Sequence, residues 1–288
     1  MSNSKQIGRI EEITSPSNPR MKSIKALAMK KNRDRENVFL VEGQKLVTDA
    51  LETGWNVRTL IHSKNMLEDE GHAPRITALA TKVREQGGDV FITTDKILTS
   101  ITRRDNAQAV VAVMEQKLTP LSDVIGKGNE CWLALDRVRD PGNLGTIIRT
   151  ADALGAKGVL LVGETTDPFG LEAVRATMGS LFHMKLARAN VTEFLSLAER
   201  WKTSGGQVTG THLKGAVDHR SIDYSGGPQL LLMGNEQQGL TDELANACSK
   251  LALISMDGAA DSLNLAVATG IMLFEARRHR LKQTGDTT

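Results

Sequence analysis

Apolar residues along this chain keep two periods. Short runs rich in valine, isoleucine and leucine at 38–41, 57–62, 89–93 and 108–114 predict strands. Between them, apolar residues three and four apart over 44–53 and 75–86 predict helices with one buried face. A helix is also predicted over 20–31, with Met21, Ile24, Leu27 and Ala28 on one face and Lys22, Lys25, Lys30 and Arg33 mostly off it. The turn-like ITSPSN at 13–18, closed by Pro19, precedes it. This alternation makes a small α/β unit over 1–115. The polar stretch 116–129, with Pro120, Gly126 and Gly128, reads as a linker. A second α/β unit then fills 130–288. Its strands are predicted at 131–135, 158–162, 184–187, 207–211, 230–233 and 251–255, and its helices at 145–154, 171–178, 192–203, 241–247 and 262–280. No internal repeat is visible, and the tail after Lys282 is expected to be loose.

Length agrees with two domains, since 288 residues exceed one typical core. Aromatics are only 3%, so the cores must be aliphatic and a nucleic-acid site here has few rings for stacking. The net charge of +2 says little, but its distribution says more. Residues 1–40 carry nine basic and four acidic residues, leaving the remainder net negative. Such an excess attracts polyphosphate, although a solvated helix face gives the same composition. Cys131 and Cys248 belong to no CxxC or Cys/His cluster, which argues against a disulfide framework or a zinc site. The start has no apolar signal region and no run approaches the ~20 residues that span a bilayer. A reducing cytoplasm without membrane attachment is the expected setting.

Three glycine-bearing loops follow predicted strands of the second unit: DRVRDPGNLG at 136–145, GNEQQGL at 234–240 and DGAADSLN at 257–264. In parallel α/β sheets ligands collect beyond the carboxyl ends of strands, so the three can build one pocket. Taken singly, each glycine can be turn geometry, and Asn143 and Ser262 can be helix caps. Neither GxGxxG nor GxxxxGK[ST] occurs, which removes the usual dinucleotide and nucleoside-triphosphate cradles. Arg149, set among apolar residues near a helix start, suits an anion. Glu236 lies between glycines, and Ser262 and Asn264 fall where a helix offers free N–H groups.

The ordered trio DPGNLGTIIRTADALGA, LLMGNEQQGL and ISMDGAADSLNLAVATGIMLFEARR strongly resembles the three motifs of the SpoU (TrmH) family, within the SPOUT superfamily of RNA methyltransferases. The N-terminal ITSPSNPRMKSIKAL…NVFLVEGQKLVTDAL is similar, more diffusely, to the ribosomal-protein-like substrate-binding domain of many members. The resemblance implies an α/β fold: a C-terminal SPOUT domain with a trefoil knot and a mostly parallel sheet, plus the smaller N-terminal domain. It also implies a homodimer, S-adenosylmethionine (SAM) as methyl donor, and an RNA ribose 2′-hydroxyl as acceptor, with ribosomal RNA favoured over transfer RNA. Family functional positions map onto Asn143, Arg149, Glu236, Ser262 and Asn264. The cofactor site maps onto Gly234, Ile254, Ser255, Met256 and Leu263, with Thr211 and His212 less surely aligned. GNEQQGL departs mildly from the common pattern, in which a third glycine or a basic residue often stands.

The residue types suit the reaction. Methyl transfer is an in-line displacement, so positioning should supply much of the rate. The family's usual base is the arginine at the position of Arg149, but a guanidinium with pKa above ~12 is a poor proton acceptor. Arg149 is better read as a phosphate ligand that eases loss of the hydroxyl proton, the acceptor being left open. For the basic segment the expected RNA ligands are Arg20, Lys22, Lys25, Lys30, Lys31, Arg33 and Arg35. Two other readings compete: a non-catalytic RNA- or ribosome-binding factor that kept the fold, and a small-molecule enzyme with an accidental basic N-terminus. SAM binding separates the first of these from an enzyme, and methyl transfer to RNA separates the second.

Overall fold

The apolar runs become the strands of two separate sheets, one in each of two compact units. The computed structural model describes residues 7–104, 108–213 and 216–281, so the tail expected after Lys282 lies outside the described residues. The first unit is Met1–Gln116 with Phe169–Phe182; the second is Lys117–Pro168 with His183–Thr288.

In chain order the first unit holds β1 (Ile10–Glu12), α1 (Pro19–Ala26), α2 (Lys30–Glu36), β2 (Val38–Glu42), α3 (Gln44–Glu52), β3 (Val57–Ser63), α4 (Asn65–Glu68), α5 (Ala73–Glu85), β4 (Asp89–Thr93), α6 (Asp95–Thr102) and β5 (Val110–Glu115). Its sheet runs β1-β4-β3-β5-β2, parallel from β1 to β3 and antiparallel at β3–β5 and β5–β2. The single helix expected over 20–31 is two. Asn18 caps α1, accepting from the Arg20 amide at 2.9 Å with Pro19 in the first turn. The break at Leu27–Met29 is closed by Arg33, whose Nη1 donates to the carbonyls of Leu27 (2.8 Å) and Ala28 (2.9 Å), groups a helix end leaves unpaired.

The second unit holds β6 (Cys131–Asp136), α7 (Pro141–Ala153) and β7 (Gly158–Val162). The next helix, α8 (Leu171–Ala176), belongs to the first unit. The second unit resumes with β8 (Lys185–Ala189), α9 (Val191–Thr203), β9 (Gln207–Thr211), β10 (Val217–Asp218), β11 (Gln229–Met233), α10 (Asp242–Ala247), β12 (Lys250–Leu253) and α11 (Leu265–Arg277). Its sheet is β10-β12-β9-β11-β6-β7-β8, parallel at every pairing. Strands β6, β7 and β11 are buried along their whole length, as a parallel sheet covered on both faces requires. The core is aliphatic apart from Trp132, Phe194 and Trp201. Leu121 and Val124, from the stretch read as linker, pack against that core, and the Thr119 amide donates to the Leu186 carbonyl at 2.6 Å.

The α8 segment, read in sequence as part of the second unit, joins the first because its partners are there. Phe169 stacks on Phe39 with centroids 4.9 Å apart, Phe182 meets Trp55 edge-on, and the Trp55 Nε1 donates to the Phe182 carbonyl at 3.1 Å. Arg175 Nε donates to the buried Glu42 carboxylate at 2.7 Å, and its Nη2 to the same oxygen and to the Thr102 carbonyl. The other Glu42 oxygen accepts from the Gln108 amide at 2.9 Å. A buried carboxylate is tolerated only when paired in this way; removing one partner of such a pair costs about 3–5 kcal/mol.

Candidate functional site

In the second sheet β12, β9, β11 and β6 are successive neighbours. Parallel order puts their carboxyl ends on one edge, so the loops after β6 and β11, the segment after β9 and the loop after β12 converge there. The loop after β6 turns sharply. Arg137 is left-handed, with φ 48°, and the next residue, Val138, is fully buried. Helix α7 starts at Pro141, earlier than the expected 145. Asp140 is its cap, accepting from the Asn143 amide at 2.6 Å. Asp-Pro is a cap followed by a first-turn proline, a start signal present in the sequence. Asn143 is therefore in the first turn and not the cap.

Helix α11 likewise starts at Leu265, later than the expected 262, because Asn264 is its cap. The Asn264 Oδ1 accepts from the amides of Ala266 (2.9 Å) and Val267 (3.3 Å). Its Nδ2 donates to the Asn143 Oδ1 at 3.0 Å. One amide thus caps α11 and ties it to the first turn of α7. Glu236 completes the junction: its carboxylate accepts from the backbone N–H of Arg139 (3.3 Å) and Asp140 (3.5 Å). A negative charge at the amino end of α7 is favoured by the helix dipole.

These groups line a cleft of about 440 Å³ formed by Arg139, Asp140, Asn143, Asn235, Glu236, Gln237 and Asn264. A larger hollow of about 660 Å³ lies along one face of α9 and its C-terminal end, and gathers none of the loop residues. The cleft brings together Asn143, Glu236 and Asn264. Arg149 is exposed on α7 and does not line it. Ser262 is exposed in the loop ahead of α11 and is not on its first turn.

Of the expected cofactor residues, Gly234 and Thr211 meet directly, the Gly234 amide donating to Thr211 Oγ1 at 3.4 Å. The loop of Gly234 closes on itself: Asn235 and Gly239 exchange N–H···O bonds of 3.0 and 3.2 Å. A Cβ at Gly234 would lie 2.6 Å from the Gly239 carbonyl carbon and the Leu240 nitrogen, so only glycine permits this closure. Ile254 is half-buried, while Ser255, Met256 and Leu263 are exposed. Ser255 Oγ donates to Asp218 at 2.8 Å. Arg220, forked onto the same carboxylate, with the hydrogen bond from Ser255, holds Asp218 well below the usual carboxylate range. Leu213, Met256 and Leu263 are exposed apolar side chains on the segments after β9 and β12.

The basic segment is less uniform than its composition. Arg33 is buried at 5% exposure and held by its own chain's carbonyls, which removes it from any exposed phosphate face. Arg20 pairs with Glu11 over the Phe91 ring, Lys30 pairs with Asp34, and Arg35 with Glu36. Lys22, Lys25 and Lys31 are exposed and form no ion pair among the described residues.

Comparison with known proteins adds independent information. The model of the SpoU rRNA Methylase family matches residues 130–274, and that of the MRM3-like substrate binding domain matches residues 18–112. The chain is 31% identical over 271 residues to a 23S rRNA (guanosine(2553)-2′-O)-methyltransferase of Bacillus subtilis (strain 168), covering 93% of this chain and 100% of the relative. It is also 31% identical to a 23S rRNA (uridine(2479)-2′-O)-methyltransferase of Streptomyces viridochromogenes, covering 94% and 93%. The crystal structure of an AdoMet-bound rRNA methyltransferase from Sinorhizobium meliloti superposes with a TM-score of 0.88 at 54% identity, over 95% of this chain and 99% of that one.

Proposed function

Because this chain belongs to the SpoU rRNA methylase family, we propose that it transfers a methyl group from S-adenosylmethionine to a ribose 2′-hydroxyl of ribosomal RNA. The observation that carries the proposal is the convergence of Asn143, Glu236 and Asn264, from three loops far apart in sequence, on one cleft at the carboxyl edge of the sheet. The non-catalytic alternative is disfavoured by the same convergence and by relatives that are methyltransferases by name.

The residues present fit the cofactor. The backbone around Gly234, at Ile254–Met256 and at Leu263 would hold it, beside exposed apolar side chains. When bound, S-adenosylmethionine supplies a methyl group activated on a sulfonium. The remaining work falls to the chain. The Asn143–Asn264 pair fixes two helix starts and presents amide groups toward ribose or phosphate. Glu236 holds the Arg139 and Asp140 amides at the start of α7, its carboxylate accepting from both. Arg149, with an exposed guanidinium, binds an RNA phosphate and stabilises charge developing on the hydroxyl oxygen.

The reading includes a homodimer and the knotted topology of the family. Helix α11 exposes Val267 and Phe274, each 53% accessible and seven residues apart on one face, and its other side packs on α7. A second copy covering this strip is the expected occupant. Phe274→Glu should convert the protein to monomer in sedimentation equilibrium; an unchanged dimer would place the interface elsewhere, and a monomeric wild type would remove it. Among the described residues no helix is long and apolar enough to cross a membrane, and a cytoplasmic location is part of the proposal.

RNA capture is assigned to the first unit, with Lys22, Lys25 and Lys31 as the strongest phosphate contacts. Each lost contact flattens the salt dependence of binding by about 0.7–0.9 in log–log slope. Replacing the three by glutamine should therefore lower the slope by about 2 and weaken RNA binding, with SAM affinity unchanged. Unaltered affinity and slope would make this a merely solvated face. The proposal as a whole is tested by incubating purified protein with labelled SAM and ribosomal RNA and digesting the product: label on a ribose 2′-oxygen is expected, and label on bases or none would refute it.

A further inference from the structure

We infer that Arg137 is a positioning residue for the cofactor edge of the site, a role that rests on the SAM reading above. Arg137 follows the last residue of β6 and stands in the left-handed region at φ 48°, which side chains with a Cβ rarely adopt. In a continuing strand, neighbouring side chains point to opposite faces. The turn instead folds the Arg137 guanidinium back onto the residue before it: Nε and Nη2 fork onto the Asp136 carboxylate at 2.9 and 2.8 Å. That carboxylate is wholly buried, so it needs this partner.

The free arm of the fork faces the other loop. Arg137 Nη1 donates to Gln238 Oε1 at 2.9 Å. The Arg137 carbonyl accepts from Asn235 Nδ2 at 2.9 Å, while the Asn235 Oδ1 accepts from the amides of Gln237 (3.0 Å) and Gln238 (3.1 Å). Arg137 therefore grips the Gly234–Leu240 loop through both side chain and backbone, immediately beside the Glu236 carboxylate. Glycine would accept this φ without strain but would leave Asp136 unpaired and Gln238 unheld. The arginine's contacts to Asp136 and Gln238 offset the backbone cost of this conformation. Gln238 is thereby the complement of Arg137, the one side chain of the loop that reads its guanidinium.

The experiment isolates the loop contact from the buried pair. Gln238→Ala removes the side-chain arm of the loop contact and leaves the buried pair and the Arg137 carbonyl bond to Asn235 in place, whereas Arg137→Lys keeps a charge beside Asp136 but loses the fork. SAM affinity by calorimetry, KM for SAM and kcat at saturating SAM are measured on wild type, both variants and the double variant. Expected are an unchanged melting temperature for Gln238→Ala, a rise of about tenfold in Kd and KM for SAM, and a kcat within about threefold of wild type. The double variant should be no worse than Arg137→Lys, as for a contacting pair. SAM affinity within twofold in Gln238→Ala, or additive losses in the double variant, would overturn the inference while leaving the proposed function standing. Failure of wild type to bind SAM would overturn both. If Arg137→Lys does not fold, Gln238→Ala decides alone.

Discussion

Arg149→Ala is expected to lower methyl transfer by about 10²–10³-fold while leaving SAM affinity within twofold. The side chain is exposed on α7, lies outside the cleft, and makes no hydrogen bond or ion pair among the described residues. Its loss should therefore change stability by no more than about 0.5 kcal/mol, as for an uninvolved surface position. A side chain with so little to do in the fold, placed two turns along the helix whose start lines the cleft, is free to meet RNA. Arg149→Lys should recover only part of the rate, because an ammonium restores charge but not the planar fork that matches a phosphate. Single-turnover kinetics at saturating RNA, beside calorimetry with SAM, separate the two quantities. Near-normal turnover in the alanine variant would remove Arg149 from the mechanism; lost SAM binding would move it into the cofactor site.

Gly234→Ala is expected to weaken SAM binding by two orders of magnitude or more without unfolding the protein. The added Cβ meets backbone of Gly239 and Leu240 at 2.6 Å, and backbone cannot rotate away as a side-chain tip can. The loop must open, which breaks the Asn235–Gly239 exchange and lifts Glu236 from the Arg139 and Asp140 amides. Overpacking of this kind costs about 1–3 kcal/mol, enough to shift a loop and little beside the core of the unit. Calorimetry and thermal melting on the same preparation test this. SAM binding within threefold of wild type would show that this loop is not the cofactor edge.

The parts of the fold legible in the sequence were those whose signal is local. Strands β4 and β7 occupy the residues their apolar runs predict, because polar or glycine residues bound each run. Helix α6 is an element that the expected pattern lacks, although Ile97, Leu98 and Ile101 keep helical spacing and are buried. The division of α1 from α2 was not legible, because it depends on Arg33 reaching back to two carbonyls rather than on a glycine or proline. The docking of α8 in the first unit was also hidden, since Arg175 and Glu42 are 133 positions apart.

The site divides in the same way. Asn143, Glu236 and Asn264 stand out as polar residues in glycine-bearing loops, and the structure brings them together. Arg137, Asn235 and Gln238 lie in the same loops but carry no sequence signal of their own. Their importance comes from a left-handed turn and cross-loop contacts, neither of which leaves a local pattern. Asp140 had a readable signal in the proline that follows it, obscured by reading DPGN as a loop. In the basic segment, composition overstates the surface, because it cannot distinguish Lys22 in solvent from Arg33 buried beneath the end of α1.

Ribose methylation of ribosomal RNA is the activity proposed for this chain. Nucleotide-resolution mapping of 2′-O-methylation in RNA from cells with and without the protein tests it most directly. A 2′-O-methyl mark in ribosomal RNA is expected to disappear with the protein and to return with wild type but not with Arg149→Ala. Identical maps in both cells would contradict the proposed activity, whereas restoration of the mark by the Arg149→Ala variant would remove Arg149 from the mechanism.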